Sequence, residues 1–152
     1  MTLKLNDENF VNSIATPGMA YCFNDACPKA SSCFRHTAAK FKKPSMKMGN
    51  AIFPDALQDG KCNYFMRPRI IDAAWGFDAL YNEVKQQDVA DMRCKVMGLL
   101  GGKTSYYRYH RGEKLITPEL QESINALFEA RGYGKPPFSH FKETIDFTDK
   151  EV

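Results

Sequence analysis

Cysteine placement constrains this chain more than any other feature. Cys22, Cys27 and Cys33 fall within the stretch Tyr-Cys-Phe-Asn-Asp-Ala-Cys-Pro-Lys-Ala-Ser-Ser-Cys-Phe-Arg-His that ends at His36, and Cys62 follows in Gly-Lys-Cys-Asn-Tyr-Phe. Soft ligands crowded in this way point to a metal. Zinc takes a closed tetrahedral shell of sulfur and nitrogen in structural sites, and iron-sulfur clusters also accept four thiolates, so the spacing leaves both open. The expected ligands are Cys22, Cys27, Cys33 and Cys62, with His36 as a substitute for Cys62. Against this stands the plain alternative that free cysteines are small hydrophobes of the core. A redox variant makes one thiol a sensor or nucleophile beside Lys29 and Arg35.

Five cysteines cannot all pair, and a reducing compartment favours thiols or metal ligands over disulfides. Cys94, between Arg93 and Lys95, reads as an ordinary helix residue. No apolar run reaches the roughly 18 to 20 residues of a membrane span, and the first residues lack an apolar signal core, so the expected location is the cytoplasm with no membrane partner. A chain of 152 residues with 43% hydrophobic residues, 11 Phe and 7 Tyr has core material enough for a single domain over 1–152.

The cysteine stretch resembles the Cys-Cys-Cys-His zinc fingers that bind single-stranded RNA, with two residues, Phe34 and Arg35, between the last Cys and His36. From Pro28 to Pro54 the chain carries Lys29, Arg35, Lys40, Lys42, Lys43 and Lys47 and no acidic residue. Such a run is either a solvated face or a field for an anionic partner. We therefore treat 19–66 as a Cys-rich, basic, irregular segment with short elements.

Helical signals bracket that segment. Asn6 or Asp7 can cap a short helix carrying Phe10, Val11 and Ile14, which ends before Pro17-Gly18. Phe77, Leu80, Tyr81 and Val84 recur at i, i+3, i+4 and i+7, which predicts a helix. Asp88 is placed to cap another, with Val89, Met92, Val96, Leu99 and Leu100 on one face and Gly101-Gly102 as the stop. A short helix is expected from Thr104 to His110. A further one starts with Thr117 as cap and Pro118 at its first position, with Leu120, Ile124, Leu127 and Phe128 inward, and Gln121, Glu122, Asn125 and Glu129 outward. The acidic tail with Glu143, Asp146, Asp149 and Glu151 is expected to be peripheral. The fold class implied is mainly α: a small helical bundle with a helix-turn-helix-like C-terminal half, 69–134, behind an irregular Cys-rich segment.

The tokens Val96-Met97-Gly98-Leu99-Leu100-Gly101, then Thr104-Ser105-Tyr106-Tyr107-Arg108-Tyr109-His110-Arg111-Gly112, then Thr117-Pro118-Glu119 to Phe128 resemble the helix-turn-helix of the Cro and phage-repressor type. That resemblance implies double-stranded DNA as partner and a homodimer. It sets Tyr106 and Tyr109 inward. Lys103, Ser105, Tyr107, Arg108 and Arg111 are left to meet phosphates and base edges. The whole chain also resembles small proteins of unknown function from gut Bacteroidetes that share a Cys-x4-Cys-Pro-x4-Cys-x-Arg stretch and a Tyr-rich, Arg-Gly segment, a likeness that implies no activity. The leading expectation is a DNA-binding regulator with a structural metal site. The alternatives are an iron-sulfur or thiol redox protein, and an interaction module for RNA or an acidic protein. No constellation of nucleophile and base suggests an enzyme.

Overall fold

A computed structural model describes residues 1–147. Among them it has five helices and three small sheets, 37% helical and 16% strand, so the fold is mixed α/β and the mainly helical bundle is corrected. The chain divides into two compact units, Met1–Ile70 with the residues from Ile145 onward, and Ile71–Thr144. Asp149 and Glu151 lie outside the described residues.

The N-terminal unit begins with helix α1 (Glu8–Ile14), where the Asp7 carboxylate accepts the N–H groups of Asn9 and Phe10, as its capping position predicts. Two-residue strands β1 (Tyr21–Cys22) and β2 (Ala51–Ile52) pair in parallel. Helix α2 (Phe34–Lys40) follows a short 3-10 turn at Ala30–Ser32. Strands β3 (Leu57–Gln58) and β4 (Lys61–Cys62) form an antiparallel hairpin. Its loop is Asp59-Gly60, both at positive φ, 49° and 72°. That is the backbone a two-residue hairpin loop requires, and Asp-Gly supplies it at little cost. The fully buried core of this unit is small: Val11, Phe34 and Ala38, with Leu5, Ile14, Phe41 and Phe147 packed around it.

The boundary between units falls within strands β5 (Arg69–Trp75) and β6 (His140–Asp146), which pair with each other. Neither strand is marked by a long alternating run. The expectation of a peripheral tail is corrected at Asp146, whose carboxylate binds Arg69 at 2.9 Å. In the C-terminal unit, Ala74 and Ile116 exchange both backbone hydrogen bonds as an isolated bridge.

Residues 77–84 are a further correction. They form no helix; successive turns, Leu80 N–H to Phe77 O and Val84 N–H to Tyr81 O, replace the predicted i to i−4 ladder. Phe77, Leu80 and Val84 are buried all the same. A run of turns with i to i+3 bonds brings side chains three apart to one side, so the same apolar spacing serves both backbones.

Helices α3 (Gln86–Leu99), α4 (Lys103–His110) and α5 (Pro118–Glu129) complete this unit. Asp88 lies in the first turn of α3 rather than at its cap, and Leu99 is exposed while Leu100 is buried. Thr117 caps α5 by accepting the Leu120 N–H, with Pro118 at the first helical position. Asn125, expected outward, is buried beside Ile124 and Phe128. Eleven buried residues make one core, among them Leu80, Met92, Val96, Ile116, Ile124 and Phe128. At roughly 1.5 to 3 kcal/mol for each fully buried large aliphatic or Phe side chain, this core dominates the unit's stability. Gly112, at φ 75°, lies against the Trp75 ring, where an added Cβ would meet a ring carbon at 2.9 Å.

Candidate metal centre

Four segments of the N-terminal unit bring Cys22, Cys27, Cys33 and Cys62 to the wall of one cavity of about 30 Å³. Cys22 arrives on β1, opposite Ile52 of β2. Cys27 follows a turn in which the Asn24 side chain accepts the Ala26 N–H, and the Asn24 carbonyl accepts the Cys27 N–H. Cys33 sits at the junction of the 3-10 turn and α2, where its carbonyl accepts the N–H groups of His36 and Thr37 and the Thr37 hydroxyl. Cys62 closes the Asp59-Gly60 hairpin. All five cysteines are free thiols, and Cys94 belongs to the C-terminal unit, where it is exposed on α3.

A residue not singled out as structural in the sequence holds these segments together. The Arg35 guanidinium donates from Nε to the Tyr64 carbonyl at 2.8 Å and from a terminal nitrogen to the Ala20 carbonyl at 2.9 Å. Ala20 stands two residues before Cys22, and Tyr64 two residues after Cys62. Arg35 thus ties both strands to α2 through bonds in which the donor is charged, the stronger class of hydrogen bond. No local spacing announces such a tie, because its acceptors are backbone carbonyls far apart in sequence.

His36 lines the same cavity and is buried, with its Nε2 2.8 Å from the largely exposed Asp25 carboxylate. Lys29 and Arg35 also border the cavity, and the Lys29 ammonium stands 5.2 Å above the Phe65 ring. Among the described residues, no three Cys, His, Asp or Glu side chains already stand at metal-coordinating geometry. The thiols share a cavity without a closed shell around a common point. Of the basic run, Lys42 is engaged with the Met46 carbonyl at 2.6 Å.

The residues expected to meet nucleic acid lie in the C-terminal unit, on and just after α4. Tyr106 is buried and Tyr109 half-buried, while Lys103, Tyr107, Arg108 and Arg111 are exposed. Ser105 is half-buried, and the Lys114 ammonium lies 3.4 Å from its hydroxyl. Glu113 stands 2.6 Å from the Arg111 guanidinium and 3.5 Å from that of Arg108. The hydrogen bond from Arg111 holds the Glu113 carboxyl below its ordinary range, and the same bond raises the Arg111 guanidinium.

Among the described residues, no helix is long and apolar enough to cross a membrane. No curated protein and no solved structure matches the chain. One family does, along residues 5–147, described as a family of unknown function (DUF6078). The match spans both units and every cysteine, and the chain belongs to this family.

Proposed function

We propose that the N-terminal unit is a zinc-binding module in which Cys22, Cys27, Cys33 and Cys62 hold one zinc ion as a structural clip. The convergence of four thiols from four separate segments on one cavity carries this reading. Zinc takes a closed shell of four sulfur and nitrogen ligands in structural sites, which this set of four thiols can supply. Lys29 and Arg35 at its wall offset the negative charge that four thiolates leave on a divalent ion. Zinc binding would displace the thiol protons and draw the sulfurs to about 2.3 Å from the metal. Cys62 serves as fourth ligand, and His36 stays on Asp25 as a hydrogen-bonded neighbour.

Metal content by mass spectrometry, on protein purified without added metal and without oxygen, tests this. One zinc per chain is expected, with a marked loss in Cys33→Ala and in Cys62→Ala and full retention in Cys94→Ala. Iron with acid-labile sulfide would replace this reading with the redox one. Absence of zinc, together with no uptake on titration, would leave the cysteines as core residues.

A second reading, duplex DNA binding, draws on the exposure of Lys103, Tyr107, Arg108 and Arg111 on and after α4. Glu113 occupies both arginines, so a phosphate has to displace it. Glu113→Gln is expected to tighten duplex binding and Arg108→Ala to weaken it, both with a steep salt dependence. Equal affinity in both variants and the parent chain sinks the reading. Tighter binding to RNA or to an acidic protein than to the duplex would redirect it.

A further inference from the structure

The C-terminal unit holds a cavity of about 200 Å³ whose wall combines a cation, hydroxyls and an imidazole. Arg93 reaches it from α3, Tyr106, Tyr107 and His110 from α4, and Asp78 and Tyr81 from the turns before α3. None of these except Tyr107 belongs to either reading above.

The hydrogen-bonding pattern leaves donors over. Tyr81 and Tyr106 stand hydroxyl to hydroxyl at 3.1 Å. Two hydroxyl protons serve one bond, so one proton of the pair is available to a ligand. Burial raises the pKa of both phenols, which keeps them neutral donors at physiological pH. His110 accepts the Phe77 backbone N–H at its Nδ1, 3.1 Å away. That bond assigns the ring proton to Nε2, which lies 3.8 Å from the Asp78 carboxylate, beyond a hydrogen bond. The Arg93 guanidinium lies over the Tyr81 ring, 5.4 Å from its centroid, and among the described residues it has no carboxylate partner.

The cavity therefore offers one cation, one phenol proton and one imidazole N–H, beside the rings of Phe77, Tyr106 and Tyr107. Asp78 is the acidic group at this wall, and its side chain is 73% exposed. Guanidinium with neutral donors is the chemistry that recognises phosphate oxygens, and the volume suits a ligand no larger than one ring with its phosphate. We propose that this cavity binds a small phosphate monoester, with Arg93 and the Tyr81–Tyr106 hydroxyl pair on the phosphate oxygens and the Tyr107 ring beside the organic group.

Isothermal titration of the full chain with phenyl phosphate tests this, with benzyl alcohol as the uncharged probe. Phenyl phosphate should bind and benzyl alcohol should not. Arg93→Gln, at an exposed position, is expected to weaken binding at least about tenfold. Tyr106→Phe keeps the ring and the packing, and should cost about three- to tenfold. Asp78→Asn should tighten binding by removing the like charge. Lys135→Ala, which removes the same charge elsewhere in this unit, should leave affinity unchanged. Failure of phenyl phosphate to bind overturns the proposal, as does an equal loss in Arg93→Gln and Lys135→Ala. Displacement of phenyl phosphate by duplex DNA, with the same dependence on Arg93, overturns the small ligand in favour of a backbone phosphate.

Discussion

The two units reach a fixed structure by different means. The C-terminal unit buries eleven residues in one core, beneath three helices with definite ends. Its N-terminal counterpart fully buries only Val11, Phe34 and Ala38 in its cluster, and four of its strands are two residues long. Apolar burial is the dominant favourable term in folding, so a unit with little of it leans on other ties. Here those ties are the Arg35 clip and the Asp59-Gly60 hairpin. A metal-binding role fits the unit that has least hydrophobic core to spare.

The contrast is open to attack at several levels. Chelation should produce the largest effect: with zinc bound, removal is expected to cost the N-terminal unit about 4 kcal/mol or more, as for a ligand present at a thousand times its dissociation constant. Hydrogen exchange would then rise across Met1–Ile70 and remain slow in α3 and α5. Equal loosening of both units would break the contrast.

Core truncation comes next. Phe128→Ala should destabilise the C-terminal unit by about 3 to 5 kcal/mol, since the side chain is fully buried among large neighbours. Phe34→Ala removes the largest member of the smaller core, which also packs against Phe147 at 4.9 Å, and should abolish protection throughout the N-terminal unit. Denaturant titration with exchange readout separates the two. An effect of Phe34→Ala below that of an exposed substitution would show that the small core is dispensable.

Gly112→Ala should cost about 1 to 3 kcal/mol, because the new Cβ collides with the Trp75 ring and the residue must hold a positive φ. A neutral outcome in thermal melting would mean that the ring shifts freely. The caps are expected to show the smallest effects. Thr117→Ala and Asp7→Ala each remove a side-chain acceptor from a helix start, at about 0.5 to 2 kcal/mol. The Asp7 change should lower the melting midpoint of its own unit more, since that unit has less other stability to draw on.

Much of the helical structure was legible in the sequence. Asp7, Thr117-Pro118 and Gly101-Gly102 mark ends of α1, α5 and α3 by chemistry acting within four residues, which needs no tertiary context. The apolar positions 77, 80 and 84 correctly predicted burial and wrongly predicted a helix, because turns with i to i+3 bonds share that spacing. The Asp59-Gly60 hairpin lies inside the stretch read as irregular and emerged only in the structure. β5 and β6 were not readable, since Arg69–Trp75 is short and its partner lies some seventy residues away.

The sequence by itself determined which residues were chemically equipped to act: a set of four cysteines with spacing too irregular for helix or strand to explain, together with the start of α5 and the stop of α3. Only the tertiary structure decided which of them share a space. It brought Cys62 to the same cavity as Cys22, Cys27 and Cys33, set Arg35 across two distant carbonyls, and gathered Arg93, Tyr81, Tyr106 and His110 around one cavity. The physical reason is range. Caps, turns and periodicity act between near neighbours in the chain, whereas a site is made by contacts whose partners are chosen by burial and hydrogen bonding across the whole unit.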